Sequence, residues 1–276
     1  MILVAGAAGN IGGALVGALA EAGQPVRALT RSARRDRFPA GVELAAGDMN
    51  DPASLRPALG GADGVFLLPG YADMPGVLAE ARRAGVRTVV QLSGMSAGSG
   101  DMSNAITAYM VMSERAATES GLAWTIVRPA AFMTNALRWL PQLRAGDVVR
   151  APFGHVRSAV TDPADIAAVA AVALTAQGHA SRVYEVSGPQ ALTPADQVAI
   201  LGQALGRDLR FEALTDEEAR AEMSATTPAK YVDAFFDFYV GGALDESKVL
   251  PTVRAVTGRP PRTFTQWVAA NAGAFQ

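Results

Sequence analysis

Residues 2–13 read ILVAGAAGNIGG, and this stretch decides the fold. An aliphatic run comes directly before Gly6, Gly9 and Gly12, which are spaced G-x-x-G-x-x-G, and a helical pattern follows. In such a unit the first glycine permits a tight turn, the second lets the backbone approach a pyrophosphate, and the third lets the helix pack close to the strand. The free N–H groups of the helix N-terminus attract negative charge. The stretch therefore predicts a dinucleotide-binding turn.

Outward from this turn, β-rich runs alternate with alanine- and leucine-rich helical patterns. Strands are predicted at 2–6, 25–30, 42–47, 63–69, 86–93 and 123–129, and helices at 11–23, 73–85 and 106–121. Strand and helix in regular alternation predict an α/β fold with a parallel sheet covered on both faces. We therefore expect a Rossmann-type, doubly wound sheet.

The second half of the chain follows a looser pattern. It predicts helices at 131–146, 162–174, 193–206, 215–223 and 262–275, strands at 182–188 and 208–214, and an aromatic-rich stretch at 231–244. We expect a dinucleotide-binding domain over residues 1–130 and a smaller C-terminal substrate lobe over residues 131–276. The lobe is predicted to interleave with the sheet, so that both parts form one compact unit.

Composition excludes several classes of function. The 276 residues carry a net charge of −2, which provides no basic field for nucleic acid or an anionic membrane. The chain has no cysteine, and its histidines are His155 and His179, so no metal centre is expected. The longest apolar stretch, 166–176, is too short to span a bilayer, and the first strand begins at Ile2. We expect a cytoplasmic protein that is a monomer or a homodimer.

The end of the second predicted strand bears on the choice of dinucleotide. The sequence there is VRALTRSARRDR, with Arg31 at the strand end and Arg34 and Arg35 beyond it. An NAD site places a carboxylate at this point, whereas an NADP site places a cation that binds the 2′-phosphate. Arg31 therefore predicts NADP, the alternative being a solvated basic turn. Asp48, after the third strand, either meets the adenine or caps the helix that starts near Pro52.

Several motifs together resemble the NmrA-like group of atypical short-chain dehydrogenase/reductases, which includes quinone and dye reductases and non-catalytic redox sensors. The resemblance rests on GAAGNIGG, on T-R-S after the second strand, on G-D at 47–48 and on SERAATESGLAWTIVRPAAFMTN at 113–135. It implies that Pro129 to Phe132 approach the nicotinamide. It also implies a set of cofactor-binding residues: Gly6, Gly9, Asn10, Ile11, Gly12, Arg31, Asp48, Leu67, Ser93 and Pro129.

One departure from that superfamily concerns its acid–base pair. Catalytic short-chain dehydrogenases use Tyr-x-x-x-Lys, in which the lysine lowers the tyrosine pKa and the tyrosine donates a proton. In this chain Tyr109 is followed four residues later by Ser113, and the lysines are Lys230 and Lys248. No tyrosine has a lysine at the required spacing, so carbonyl reduction by that route is not expected.

The candidate catalytic residues are therefore Tyr109, Ser93 and His155. Tyr109 would have to donate a proton alone. Ser93 either hydrogen-bonds a substrate oxygen or caps a turn, and His155 is either an acid or a structural residue.

Aromatic residues that follow predicted strand ends suggest a pocket for a flat acceptor. The predicted pocket residues are Tyr71, Phe132, Met133, Trp139 and Phe153. Phe235, Phe236, Phe238 and Tyr239 form either the opposite wall or the core of the lobe.

We therefore expect an NADP(H)-dependent oxidoreductase that transfers a hydride to a conjugated, quinone-like or aromatic small molecule. The alternatives are a non-catalytic NADPH sensor and a fold recruited for non-redox isomerase or cyclase chemistry.

Overall fold

A seven-stranded parallel sheet forms the centre of the protein, in the order β3-β2-β1-β4-β5-β6-β8, and β7 pairs with β9 in a separate two-stranded sheet. This arrangement comes from a computed structural model, which describes residues 1–30 and 35–275. It confirms the predicted α/β Rossmann class. The strands are β1 Ile2–Val4, β2 Val26–Leu29, β3 Glu43–Ala45, β4 Gly64–Leu67, β5 Thr88–Leu92, β6 Ala123–Pro129, β7 Val148–Ala151, β8 Arg182–Val186 and β9 Arg210–Ala213.

Helices cover both faces of the central sheet and build the lobe. They are α1 Asn10–Glu21, α2 Arg56–Leu59, α3 Met74–Arg83, α4 Ala105–Glu119, α5 Leu140–Ala145, α6 Pro163–Thr175, α7 Pro194–Leu205, α8 Asp216–Ser224, α9 Ala229–Tyr239, α10 Thr252–Thr257 and α11 Phe264–Ala270. Short 3₁₀ turns lie at 35–37, 52–55, 95–99, 133–139 and 272–275. Within residues 1–30 and 35–275, no helix has both the length and the apolar character needed to cross a bilayer.

The helix starts follow local capping chemistry. The side chain of Asp162 accepts a hydrogen bond from the Ala164 N–H, and Pro163 occupies the first turn of α6, as the sequence predicts. Thr193, Thr215 and Thr263 each open a helix with a reciprocal capping box. These caps satisfy backbone donors that would otherwise lack partners in the first turn of each helix.

Two apolar layers enclose the central sheet. Helices α1 and α6 pack on one face, around Leu15, Phe66 and Ile166, while α3 and α4 cover the other face, around Leu78 and Ile126. Because both faces are covered, β1 and β4 carry no polar side chain along their whole length. The C-terminal half therefore contributes α6 and β8 to the sheet unit itself.

The lobe has its own core, in which α7 and α11 pack together around Leu201 and Trp267. Its strand β7 was not predicted, because it has only four residues and lies between Gly146 and Pro152. The aromatic stretch at 231–244 is helical only as far as Tyr239, where α9 ends before two glycines.

Asp165 joins the sheet unit to the C-terminal segment. Its side chain is fully buried, accepts a 2.6 Å hydrogen bond from Arg259 and accepts a 2.7 Å hydrogen bond from the Arg262 N–H. Burial raises the pKa of this carboxyl, and the hydrogen bond from Arg262 together with the charge of Arg259 opposes that rise. The two donors thus make a buried carboxylate tolerable at this position.

We expect Asp165→Ala to lower the free energy of unfolding by about 1–3 kcal/mol, since it leaves the partly buried Arg262 N–H without its acceptor and removes the carboxylate that pairs with Arg259. Chemical denaturation monitored by circular dichroism measures this change. The matched control is Glu119→Ala, which removes an ion pair with Arg115 in which both side chains are exposed. The control should leave the unfolding midpoint unchanged, and equal effects of the two substitutions would contradict a linking role for Asp165.

Candidate active site

A cavity of about 460 Å³ lies where β1 adjoins both β2 and β4. The strand order reverses at this point, and open α/β sheets bind ligands outside the carboxyl ends of their strands at such a position. The glycine turn contributes one wall, and the segments after β2, β3 and β4 contribute the others. The lining residues are Gly6, Ala8, Gly9, Leu29, Thr30, Gly47, Asp48, Met49, Asn50, Leu68 and Tyr71.

Glycine is required at two positions of the turn for steric reasons. A Cβ atom at Gly12 would stand 2.2 Å from the Gly6 carbonyl oxygen, which is far inside van der Waals contact. Gly6 itself has a φ of +63°, and a Cβ atom there would meet the Leu68 side chain at 2.5 Å. These contacts match the roles of a tight turn and a close helix–strand approach.

The N-terminus of α1 opens beside this cavity without a side-chain cap. Gly9 is the N-cap residue, and it has no side chain that could accept a hydrogen bond from the first turn. The N–H groups of Asn10 and Ile11 precede the first intrahelical bonds, so they have no acceptor in the helix. The Asn10 side chain is exposed, whereas the Ile11 side chain is buried in the core. Asn10 and Ile11 therefore present backbone N–H donors to the cavity, and this arrangement fits a diphosphate.

Asp48 lies at the rim of the cavity. Its carboxylate accepts a 2.9 Å hydrogen bond from the Asn50 N–H and forms a local turn. The 3₁₀ turn at 52–55 has Asp51 as its N-cap residue, so the Asp48 side chain does not cap that turn. Asp48 is exposed and lines the cavity, where it can still accept a hydrogen bond from an adenine amino group.

Two predicted site residues, Leu67 and Tyr71, lie in other places than expected. The resemblance implies that Leu67 binds the cofactor, and the aromatic pattern groups Tyr71 with the pocket for the acceptor. Leu67 is 1% exposed and belongs to the core on one face of the sheet, while its neighbour Leu68 lines the cavity. Successive side chains of a strand point to opposite faces, which explains the exchange. Tyr71 lines this first cavity and not the aromatic cleft described below. Arg31 and Arg34 lie outside the described residues.

A second, larger cleft of about 680 Å³ begins where β6 ends. Ala131 and Phe132 form its edge next to the sheet, and the backbone of residues 131–133 pairs with Thr161. Phe132, Trp139, Phe153, Phe235 and Tyr239 supply aromatic surface. Met133 is instead 1% exposed and packs in the lobe core, because the chain turns into a 3₁₀ helix there. The cleft suits a flat, apolar ligand.

The aromatic residues of the cleft hold one another in place. The ring of Tyr239 lies 5.1 Å from that of Phe153 and 6.3 Å from that of Phe235, and Phe153 also meets Phe236 at 5.3 Å. Phe153 adopts a left-handed backbone conformation with a φ of 57°, which is costly for an aromatic residue. Phe236 is buried and Phe235 half-buried, so the first belongs to the lobe core and the second to the wall.

Two arginines contribute charge to the cleft. Arg150 forms ion pairs with Glu218 and Glu222. Arg138 is exposed, and within residues 1–30 and 35–275 no hydrogen bond or ion pair involves its guanidinium. An unpaired guanidinium at the edge of an apolar cleft attracts an anionic group on a ligand.

A buried network occupies the carboxyl ends of β5 and β6. The Ser93 hydroxyl donates to Glu114 Oε1 at 2.6 Å, and Arg128 donates to both oxygens of the same carboxylate at 2.8 and 2.6 Å. This bidentate pairing raises the pKa of Arg128. Pro129, the last residue of β6, is buried beside the network. The Ser93 hydroxyl is therefore already used to join the sheet to α4.

Tyr109 lies on α4, against the loop that follows β4. The ring is 3.4 Å from where a Cβ atom of Gly70 would stand, and it meets Tyr231 edge to face at 6.4 Å. Burial, and secondarily Tyr231, raises the pKa of Tyr109. Ser113, in the position of the absent lysine, donates to the Tyr109 carbonyl and accepts from the Gly70 N–H.

His155 is exposed and lies outside the residues that line the cleft. His179 hydrogen-bonds Tyr184 at 2.8 Å on another part of the surface. In the part of the chain that the structure describes, no group of three or more acidic or histidine residues could hold a metal ion.

The fold and the glycine turn define a dinucleotide-binding protein of the Rossmann class. The model of the NAD(P)H-binding family matches residues 6–177, and the chain belongs to that family.

Three relatives specify this further. The chain is 44% identical to (4-alkanoyl-5-oxo-2,5-dihydrofuran-3-yl)methyl phosphate reductase from Streptomyces griseus, over 100% of this chain and 99% of that protein. It is 40% identical to the NAD(P)H azoreductase from Xenophilus azovorans, over 100% and 99% of the two chains. Among solved structures, the NADPH complex of an NADPH-dependent quinone oxidoreductase from Escherichia coli matches with a TM-score of 0.80 and 25% identity, over 98% and 99% of the two chains.

These findings confirm the predicted resemblance to quinone reductase-like members of the NmrA-like group. The chain is an NAD(P)H-dependent oxidoreductase. The sequence pattern did not predict a role for the cavity residues Leu68 and Arg138 or for the buried Glu246. For Leu68 the alternation of strand faces was an available signal.

We expect Gly12→Ala to weaken NADPH binding by at least about tenfold, because the added methyl displaces the Gly6 carbonyl and with it the turn. Isothermal titration calorimetry measures the dissociation constant. Gly17→Ala is the matched control on the same helix, since a Cβ atom there meets nothing within 4 Å. Unchanged affinity in Gly12→Ala would show that the turn does not bind the diphosphate.

Proposed function

We propose that this protein is an NADPH-dependent reductase of a conjugated small molecule, with the dinucleotide along the first cavity and the acceptor in the aromatic cleft. The observation that carries the proposal is the aromatic cleft of about 680 Å³, which begins at Ala131 and Phe132, just beyond the end of β6. A conjugated acceptor accepts a hydride readily when it is held flat against the nicotinamide in a site that excludes water. The absence of a Tyr-x-x-x-Lys pair fits such an acceptor better than an isolated carbonyl.

The relatives support this class of acceptor. Their names specify an alkanoyl-substituted unsaturated furanone, azo compounds and quinones. All three groups contain conjugated, electron-poor double bonds, to which hydride addition gives a delocalised product. The shared feature is therefore the conjugated system, and the substituents distinguish one substrate from another.

Preference for NADPH is proposed to come from Arg31, which is the first cation after β2. We expect NADPH to bind at least about tenfold more tightly than NADH, and Arg31→Asp to abolish that difference, since a charged hydrogen bond to the 2′-phosphate contributes roughly 1.5–3 kcal/mol. Titration of both cofactors against both proteins measures this. Equal affinities in the unchanged protein would contradict the proposal.

A phosphate-bearing acceptor is a second, narrower candidate, and Arg138 is the observation that favours it. This guanidinium lines the cleft, and within the described part of the chain it has no ion-pair partner. A phosphate ester attached to a furanone ring would bring its charge to the edge of the cleft while the ring enters the aromatic part. Arginine binds phosphate through paired N–H donors, so it would add both affinity and orientation.

Steady-state NADPH oxidation with a furanone methyl phosphate, an azo dye and an uncharged quinone tests both candidates. We expect Arg138→Gln to lower kcat/KM for the phosphate ester by at least about tenfold and for the uncharged quinone by less than about twofold. Arg144→Gln is the control, since Arg144 is exposed on α5 and does not line the cleft.

Absence of NADPH oxidation with every acceptor would contradict the proposed function and favour a sensor or non-redox chemistry. Equal losses for the phosphate ester and the quinone in Arg138→Gln would contradict only the phosphate-binding role.

A further inference from the structure

We propose that Tyr239 is the proton donor to the acceptor in the cleft, and that Glu246 supplies Tyr239 with that proton. This inference rests on the proposed function, because it names the acid of the same reaction. Tyr239 is the last residue of α9 and lines the aromatic cleft. Its hydroxyl donates to Glu246 Oε2 at 3.0 Å.

Glu246 is a buried acid next to the sheet edge. It is 6% exposed, and no lysine or arginine forms an ion pair with it within residues 1–30 and 35–275. Its carboxyl accepts a hydrogen bond from the Ala131 N–H, and its carbonyl accepts one from the Ala159 N–H at 2.7 Å. Ala131 is the second residue after the end of β6 and lines the cleft. The carboxyl is thus fixed beneath the part of the cleft where the sheet ends.

The environment of this pair raises the pKa of both groups. Burial is the main cause of the raised pKa of Glu246, and the hydrogen bonds from Tyr239 and Ala131 oppose it. Burial and the neighbouring carboxyl raise the pKa of Tyr239 further above its usual range, whereas Arg138 lowers it slightly. Asp245 adds negative charge beside Glu246. The Glu246 carboxyl therefore gives up a proton more readily than the Tyr239 phenol does, and Tyr239 passes that proton on to the acceptor.

In the proposed step, a bound reduced nicotinamide would supply a hydride to one end of the conjugated system of the acceptor. The Tyr239 hydroxyl turns from Glu246 to the acceptor and donates its proton to the oxygen or nitrogen at the other end, while the protonated Glu246 donates its own proton to Tyr239 Oη. Tyr239 remains neutral, the O–H bond of Glu246 breaks, and Glu246 becomes a carboxylate. After the product leaves, water in the cleft returns one proton to Glu246 through Tyr239.

The position of Tyr239 suits this role better than those of the other candidate acids. Its ring is held between Phe153 and Phe235, so the side chain has little freedom to move. Tyr109 and His155 do not line the cleft. A proton donor positioned in this way contributes about 10²–10⁴-fold to a rate.

We expect Tyr239→Phe to lower kcat for the azo dye by about a hundredfold, with the dissociation constant of NADPH changed by less than about twofold. Single-turnover stopped-flow measurement of NADPH oxidation gives the rate of the chemical step. Tyr231→Phe is the matched control, since it removes a hydroxyl from the same helix at a residue that does not line the cleft. It should keep the full rate.

The pH profile of kcat tests Glu246. Because the acid must be protonated, the rate of the unchanged protein should fall as pH rises through the raised pKa of Glu246. Glu246→Gln should lose this fall and show a low rate at every pH. If Tyr239→Phe keeps kcat within about twofold, or Glu246→Gln keeps the alkaline fall, solvent is the proton source and the inference is overturned. In that case NADPH oxidation by the unchanged protein still upholds the proposed function, whereas its absence would refute both.

Discussion

The close approach of α1 to the turn after β1 is the constraint on which the binding site depends. Gly12 lies so near the Gly6 carbonyl that no side chain can be added without moving the backbone. This approach brings the uncapped N–H groups of α1 to the edge of the sheet, at the point where the strand order reverses. Since α1 also packs on α6, the same contact fixes the start of the helix against the second half of the chain.

Helix α4 packs beside β5 and β6 and does not carry the Tyr-x-x-x-Lys pair of catalytic short-chain dehydrogenases. Ser113 stands where the lysine would be, and its hydroxyl joins α4 to the loop at Gly70. Ser93 is hydrogen-bonded to Glu114, which in turn holds Arg128. Each of these polar groups already has a hydrogen-bond partner within the protein, so a ligand would have to compete for it. These bonds join α4 to the sheet and to the loop at Gly70.

The central sheet could be predicted from the sequence because its evidence is local. The glycine spacing at 6–12 and the alternation of strands and helices each depend on neighbouring residues, and the Asp162 cap does as well. The lobe was harder, since β7 has four residues and is a strand only because β9 lies beside it. In the site, the distinction between Leu67 and Leu68 and the burial of Met133 depend on register and on the turn after β6. Composition and spacing do not determine either one.

Glu246 shows the limit of sequence reasoning most clearly. In the sequence it lies between an aspartate and a serine, in a polar stretch that is typical of an exposed loop. Its burial arises because residues far apart in the sequence meet: Ala131 after β6 donates to the carboxyl, and the Ala159 N–H donates to the Glu246 carbonyl. A carboxyl without a cationic partner is expensive to bury, and a protein that only needed to fill this volume could do so with a leucine. The cost is understandable if the proton on that carboxyl is used, since the aromatic cleft begins at the same Ala131.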